Sequence, residues 1–328
     1  MPLSYETFMD LAMDQAEKAR YHAPPNPWVG AVVVDTHGRV LGEGWTQVPG
    51  DAHAEVEALR HAGDDACGAT LFVTLEPCSH TGRTGPCTEV IIAAGVAKVV
   101  VGVTDPDSRV SGRGIAALQE AGIEVVSGIR EEEIRHQLAP YLWHRVTHRP
   151  YVVAKVASTL DGVVAMADGS SKWITSEAAR RDGHVLRAQS QAILVGAGTV
   201  RSDDPELTAR LDGIVLEPLR VVLGSAPENA RVRPCLELSG ELGHVLDELA
   251  SHDVLQVLVE GGPTVVSAFL EAGLVNHLVW YQAPAFAGSV GTTGALSALS
   301  TPTIDALRRG RLVGVRQIGE DIRIDVEV

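Results

Sequence analysis

Residues 74–87, TLEPCSHTGRTGPC, decide how the first half of this chain is read. The stretch opens at the end of a strand, because Thr70–Thr74 is rich in β-branched and apolar residues. It then places two of the chain's four cysteines, Cys78 and Cys87, each directly after a proline, at the ends of one polar loop. Four cysteines at scattered positions make no disulfide framework, so a reducing, cytoplasmic compartment is expected. Cys67 and Cys235 read as small packing residues. Cys87 begins a predicted helix, whose dipole favours its thiolate.

Working outward, His53-Ala54-Glu55 opens an amphipathic helix near His53–His61. One imidazole and two thiolates give three protein ligands to Zn²⁺ and leave the fourth position open for water, as catalytic zinc requires. The metal lowers the pKa of that water to about 7. Glu55 is not needed as a ligand and suits proton transfer from that water to a leaving amine. Zinc nucleobase deaminases carry H-x-E…P-C-x-x-C with this division of roles. Here the second Cys follows after eight intervening residues instead of two. Residues two apart on a helix point about 200° apart, so the role of Glu55 rests on the pattern. The alternatives are a closed site completed by His80 or His61, and plain packing of all three residues.

The 328 residues suit two domains, and 45% hydrophobic with 21% charged residues describe a folded globular chain. A net charge of −15 argues against nucleic acid or anionic lipid as partner. The N-terminus lacks a basic, apolar leader. Residues 272–304 carry no Asp, Glu, Lys or Arg, but Pro284, Pro302 and several glycines make them strand and loop, not a membrane span. Alternating patterns predict helices at 4–20, 53–61, 90–94, 114–121 and 131–143, with strands at 29–34, 40–45, 70–74, 98–103 and 123–126. HRVTHRPYVV marks a boundary near residue 148, giving domains 1–147 and 148–328. In the second, helices are expected at 176–189, 242–249 and 264–272, and strands at 151–156, 192–195, 219–223, 254–259, 275–282, 312–318 and 322–326. Both halves are α/β.

PNPWVGAVVV, HAEVEAL, TLEPCSHTGRTGPCTEVIIAAGVAKVVVGVTDPD and VSGRGIAAL resemble the deaminase half of the bifunctional riboflavin-biosynthesis deaminase–reductase family. KVASTLDGVVA, SKWITSEAARRDGHVLRAQSQAILVGAGTV, SDDPELTAR and VLVEGGPTVVSAFLEAGLV extend the resemblance through nearly the whole chain. It implies a cytidine-deaminase-like three-layer domain followed by a dihydrofolate-reductase-like α/β domain. The implied reactions are zinc-dependent deamination of 2,5-diamino-6-ribosylamino-4(3H)-pyrimidinone 5′-phosphate, then NADPH-dependent reduction of its ribosyl group to ribityl. The family's longer Cys loop carries substrate-phosphate groups, matched here by His80 and Arg83, and Asn26 matches its pocket asparagine. Thr46 stands where the family commonly has His. The bland reading of Arg83 is a solvated loop arginine.

No G-x-G-x-x-G occurs, but Gly196-Ala197-Gly198-Thr199 and Glu260-Gly261-Gly262-Pro263-Thr264 follow predicted strands. Either is a phosphate-binding turn or a tight strand-to-helix turn. The resemblance implies cofactor contacts at Ala157, Trp173, Thr199, Asp203, Ser225, Gly262, Pro263 and Thr264. It implies substrate contacts at Ser171, Arg187, Leu207, Arg210 and Glu260. Alone, Trp173 reads equally as core and Arg187 as a solvated helix charge. Residues 224–240 are shorter than in the family, which bears on Ser225 and on the choice of NADPH over NADH. Lys155 and Asp203 are acid–base candidates for reduction. A homodimer or tetramer is ordinary for the family. The rival readings are a deaminase of RNA or free cytidine with an appended binding domain, and a zinc-stapled nucleotide-binding protein.

Overall fold

The computed structural model describes residues 4–80, 85–107, 110–211 and 216–328. The chain divides into two compact units, residues 1–148 and 149–328.

The first unit runs α1 (Tyr5–Ala19), β1 (Gly30–Val34), β2 (Val40–Trp45), α2 (Ala54–Ala62), β3 (Thr70–Leu75), α3 (Cys87–Ala94), β4 (Lys98–Val103), α4 (Arg113–Glu120), β5 (Glu124–Ser127), α5 (Glu131–Gln137) and α6 (Ala139–Thr147). Its sheet has the order β2-β1-β3-β4-β5. β1 is antiparallel to β2 and β3, whereas β3, β4 and β5 are parallel through α3 and α4. Two glycines show why this sheet is sandwiched. A Cβ on Gly30 would lie 1.9 Å from the Ala12 carbonyl oxygen of α1, and one on Gly44 2.3 Å from the Ala54 carbonyl oxygen of α2. Gly30 pairs with Trp45 and Gly44 with Ala31, so the two glycines face opposite sides. α1 and α2 therefore cover opposite faces of the sheet, each seated directly on backbone. The strands are buried on both faces, as Ala31–Val33 and Val99–Val101 are, and so read as unbroken apolar runs.

The second unit runs β6 (Tyr151–Thr159), β7 (Val163–Ala165), α7 (Glu177–Ala188), β8 (Ala192–Gly196), α8 (Ala197–Asp203), β9 (Leu219–Leu223), β10 (Leu236–Leu238), α9 (Leu242–Ser251), β11 (Gln256–Val259), α10 (Pro263–Glu271), β12 (His277–Ala283), β13 (Thr293–Gly294), β14 (Arg311–Ile318) and β15 (Asp321–Glu327). Its main sheet has the order β10-β9-β8-β11-β6-β12-β15-β14. The first six strands are parallel, and the closing hairpin β14–β15 joins antiparallel to β12. Alternate residues of β6 serve two cores. Val153 packs with Ala179 and Leu186 of α7, whereas Val152 and Ala154 pack with Leu246 of α9 and Phe269 of α10.

The helix expected over 131–143 is two helices. Leu138 has φ −95° and ψ 9°, and Pro140 sits in the first turn of α6, where its missing N–H costs nothing. α8 and the short β7, β10 and β13 carry too few residues to show a period, and none was expected as an element. Residues 272–304 form the end of α10's turn, β12, loop and β13, as the charge-free stretch was read.

Candidate active sites

The sheet of the first unit gathers its polar residues at one end. β1 starts where β3 finishes, since Ala31 pairs with Val73, and β2 finishes there too, since Trp45 pairs with Gly30. Asn26 before β1, Thr46 after β2, His53 before α2, Cys78 after β3 and Asp105 after β4 thus share that end. His53 is the N-cap of α2 but makes no capping hydrogen bond, which leaves its ring for other partners. Nδ1 of His53 lies 3.2 Å from Sγ of Cys87 and 3.7 Å from Sγ of Cys78. All three donor atoms fall within 4.8 Å of one another. Ligands about 2.0–2.3 Å from a tetrahedral zinc stand roughly 3.5–3.8 Å apart, so the trio fits that ion by donor type and by spacing. Among the described residues no fourth His, Cys, Asp or Glu joins the cluster. His61 is turned away, its Nδ1 2.7 Å from the Glu43 carbonyl oxygen. The closed-site alternative through His61 is thereby set aside.

The N-terminus of α3 serves Cys78 as well as Cys87. The backbone N–H of Cys87 donates to Sγ of Cys78 at 3.4 Å, and that of Thr88 to the Cys78 carbonyl at 3.2 Å. Cys78 is held well below the ordinary thiol range, to about 4, chiefly by the hydrogen bond from the Cys87 side chain. The same bond and burial push Cys87 up. A bound cation makes both thiolates, since a coordinating thiol is deprotonated. Glu55 is 4% exposed and reaches the Cys87 side chain, and burial raises its pKa. This is the orientation that helical spacing left open.

The Thr46 hydroxyl is engaged by backbone: it accepts from Val29 N–H at 3.1 Å and so closes the β1–β2 end. Asn26 is half-buried in the turn after cis Pro24–Pro25. His80 is half-buried, and among the described residues its Nδ1 has no hydrogen-bond partner. Arg83 lies outside the described residues. Sequence reasoning missed Glu76 and Asp105, both 4% exposed at this end of the sheet. The signal was present: a carboxylate directly before Pro77-Cys78, and another directly after an apolar strand.

In the second unit, parallel pairing of β8 with β11 sets the two glycine turns side by side. A Cβ on Gly262 would lie 3.6 Å from Oγ1 of Thr199, and one on Gly261 2.5 Å from Val265. Gly196 and Gly262 cap α8 and α10 without any side-chain hydrogen bond; Pro263 brings no N–H and Val265 N–H is taken by the Gly262 carbonyl, so in the first turn of α10 it is the Thr264 N–H that no cap holds. Helix starts at the carboxyl ends of neighbouring parallel strands are the kind of place where phosphate groups bind. Pro263 and Thr264 open α10, Ala157 lies on β6 and Asp203 ends α8. Trp173 is 69% exposed and stacks on Arg180 at 4.6 Å, which sets aside a core role. Ser225 is exposed just beyond β9, and Ser171 is half-buried two residues before Trp173.

Nε of Arg187 donates to Glu260 at 2.8 Å and Nη2 at 2.7 Å, while Nη1 donates to the Thr208 carbonyl at 3.1 Å. Arg187 is thus no solvated charge. Burial pushes Glu260 up, but the Arg187 charge outweighs it, helped by Lys155, and brings the carboxyl to about 2. Leu207 (φ 53°) and Arg210 (φ 47°) flank Thr208 in left-handed conformations that cost a branched or long residue energy. Strain of this kind gathers where a backbone is shaped for a ligand. His184, one turn before Arg187, also hydrogen-bonds the Thr208 backbone. Burial and the Arg187 charge lower its pKa, and among the described residues its Nδ1 has no partner. Sequence reasoning passed over His184, although its i, i+3 spacing to Arg187 puts both on one face.

Comparison with known proteins gives the family of each half. The family described as the cytidine and deoxycytidylate deaminase zinc-binding region matches residues 3–103, and the RibD C-terminal domain matches residues 150–324. The riboflavin biosynthesis protein RibD of Aquifex aeolicus is 39% identical, covering 97% of each chain. A RibD structure from Acinetobacter baumannii superposes with TM-score 0.92 at 38% identity over 98% of each chain. The diaminohydroxyphosphoribosylaminopyrimidine deaminase/5-amino-6-(5-phosphoribosylamino)uracil reductase of Thermotoga maritima does so with TM-score 0.89 at 34% identity, again over 98% of each. No helix among the described residues is long and apolar enough to cross a membrane. With three metal-ligand side chains converging in one unit and two glycine turns side by side in the other, this chain belongs to the RibD family of riboflavin biosynthesis, a zinc-binding deaminase domain followed by a reductase domain.

Proposed function

We propose that residues 1–147 deaminate 2,5-diamino-6-ribosylamino-4(3H)-pyrimidinone 5′-phosphate and that residues 148–328 then reduce its ribosyl group to ribityl with NADPH. The observation that carries the first half is the open trio of His53, Cys78 and Cys87 with buried Glu55 beside it. Zinc, when bound, supplies a Lewis acid that makes hydroxide available near neutral pH. Glu55 as carboxylate would take a proton from the attacking water and then, as the acid, pass it to the leaving amine; burial raises its pKa, which makes it a stronger base for the first transfer. Asn26 and His80 would hold the pyrimidine and its phosphate, together with Arg83.

In the second unit NADPH, when bound, supplies hydride. Thr199 and the Gly262–Thr264 turn would hold its pyrophosphate, with Ala157, Trp173, Asp203 and Ser225 around the rest. Ser171, Arg187, Leu207, Arg210 and Glu260 would orient the sugar phosphate. The task of these residues is to align two carbons and exclude water. Lys155 and Asp203 are the candidate proton donors, and the Lys155 charge also acts on Glu260. A cytoplasmic homo-oligomer, dimer or tetramer, completes the reading.

The test is mass spectrometry of the pyrimidine substrate with zinc-loaded protein, first without and then with NADPH. Exchange of one amino group for oxygen, followed by gain of two hydrogens, is expected. Deamination without reduction would sink the second half of the proposal. No change in either step would return the chain to a structural, nucleotide-binding role.

A further inference from the structure

Glu76 is a buried carboxylate at 4% exposure, and among the described residues no basic side chain pairs with it. Among the described residues its carboxylate is met by backbone N–H groups. Oε2 accepts from Asp105 N–H at 3.3 Å and Gly112 N–H at 3.0 Å, and Oε1 from Gly114 N–H at 3.0 Å and Ile115 N–H at 3.3 Å. Such donors make a buried anion tolerable without a counter-charge. They also fasten the N-terminus of α4 and the segment after β4 to one side chain.

That side chain stands two residues before Cys78. Gly114 closes the same contact from below, because a Cβ there would lie 2.0 Å from the Pro77 carbonyl oxygen. On the far side, Cys78 is gripped by the first N–H groups of α3. The clamp continues outward through Asp105, whose carboxylate accepts from Asp107 N–H at 2.8 Å and Tyr141 Oη–H at 3.0 Å. The Pro77–Cys78 peptide is thus held between two helix N-termini. One meets Cys78 directly and the other reaches it through Glu76.

We infer that Glu76 is a positioning residue for the zinc site, its carboxylate docking α4 and the segment after β4 so that Cys78 Sγ stands where His53 and Cys87 can share one cation with it. All four partners are donors. A carboxylate can accept from all of them, whereas a Gln amide would turn an NH₂ against two N–H groups. The inference rests on the zinc reading of His53, Cys78 and Cys87, and its test does not depend on turnover.

The experiment uses full-length Glu76→Gln loaded with Zn²⁺ or Co²⁺. Loss of Zn²⁺ to a chromogenic chelator should speed up by about 10- to 100-fold, the range for residues that orient metal ligands. The Co²⁺ d–d bands should shift, and kcat for deamination should fall with KM little changed. Reduction of pre-deaminated substrate, in the other unit, should be untouched. Gly114→Ala, whose methyl group would press on the Pro77 carbonyl and stand 3.3 Å from Glu76 Cγ, keeps the carboxylate but disturbs the same clamp, and should shift the same Co²⁺ bands. Wild-type metal release and Co²⁺ bands in Glu76→Gln, with only a lower Tm, would overturn the inference. Should Glu76→Gln fail to fold, unchanged Co²⁺ bands in Gly114→Ala would overturn it as well. Wild-type protein that holds zinc without deaminating would sink the proposed activity and leave this inference standing.

Discussion

Replacing Arg187 with alanine strands the Glu260 carboxylate, whose side chain is only 9% exposed. In the native protein Glu260 sits at about 2 against an ordinary 4.5. At 1.36 kcal/mol per pH unit, that displacement corresponds to about 3 kcal/mol of stability. Because the folded value lies below the unfolded one, this contribution is present above pH 4.5 and lost as pH falls towards 2. Without Arg187, burial acts with less opposition and raises the carboxyl. Removing one member of a buried pair costs about 3–5 kcal/mol. The charge of Lys155 also lowers Glu260, so the low end of that range is expected. For a domain of this size about 3 kcal/mol shifts Tm by roughly 10 °C. Scanning calorimetry at pH 7 and pH 4 should show a large Tm difference between wild type and Arg187→Ala at pH 7. The difference should shrink at pH 4, where the variant's Glu260 is protonated. Equal losses at both pH values would refute the argument. In kinetics, reduction should weaken while deamination persists; an equal loss of deamination would refute the division into two sites.

Glu55→Ala should abolish deamination while zinc stoichiometry and reduction of deaminated substrate stay at wild-type values; zinc lost with the fold would make Glu55 structural. Gly44→Ala puts a methyl group 2.3 Å from the Ala54 carbonyl oxygen, so α2 must move. A loss of about 1–3 kcal/mol in the first unit is expected, with zinc bound below one equivalent because His53 caps that helix; full zinc content would refute it. Trp173→Ala, at a 69% exposed position, should leave Tm within about 1 °C and raise KM for NADPH. An unchanged KM would remove Trp173 from the cofactor site.

The metal ligands were legible because each belongs to a short local pattern: a His opening a helix, and two Pro-Cys steps bounding one loop. The strands were legible because β1, β3 and β4 are covered on both faces and stay apolar throughout. The bend between α5 and α6 was not, since the apolar period runs on through Pro140, which a first helical turn accommodates. The direction of Glu55 needed the packing of α2, because residues two apart diverge by about 200°. Glu76 finds its four donors 29 to 39 residues downstream, and Arg187 meets Glu260 73 residues away. Sequence alone determined the type of the longer elements and the chemistry of the zinc ligands, both written in neighbouring residues. Tertiary structure alone decided which buried carboxylates are paired, and with what, because those partners meet only after distant strands align at one end of a sheet.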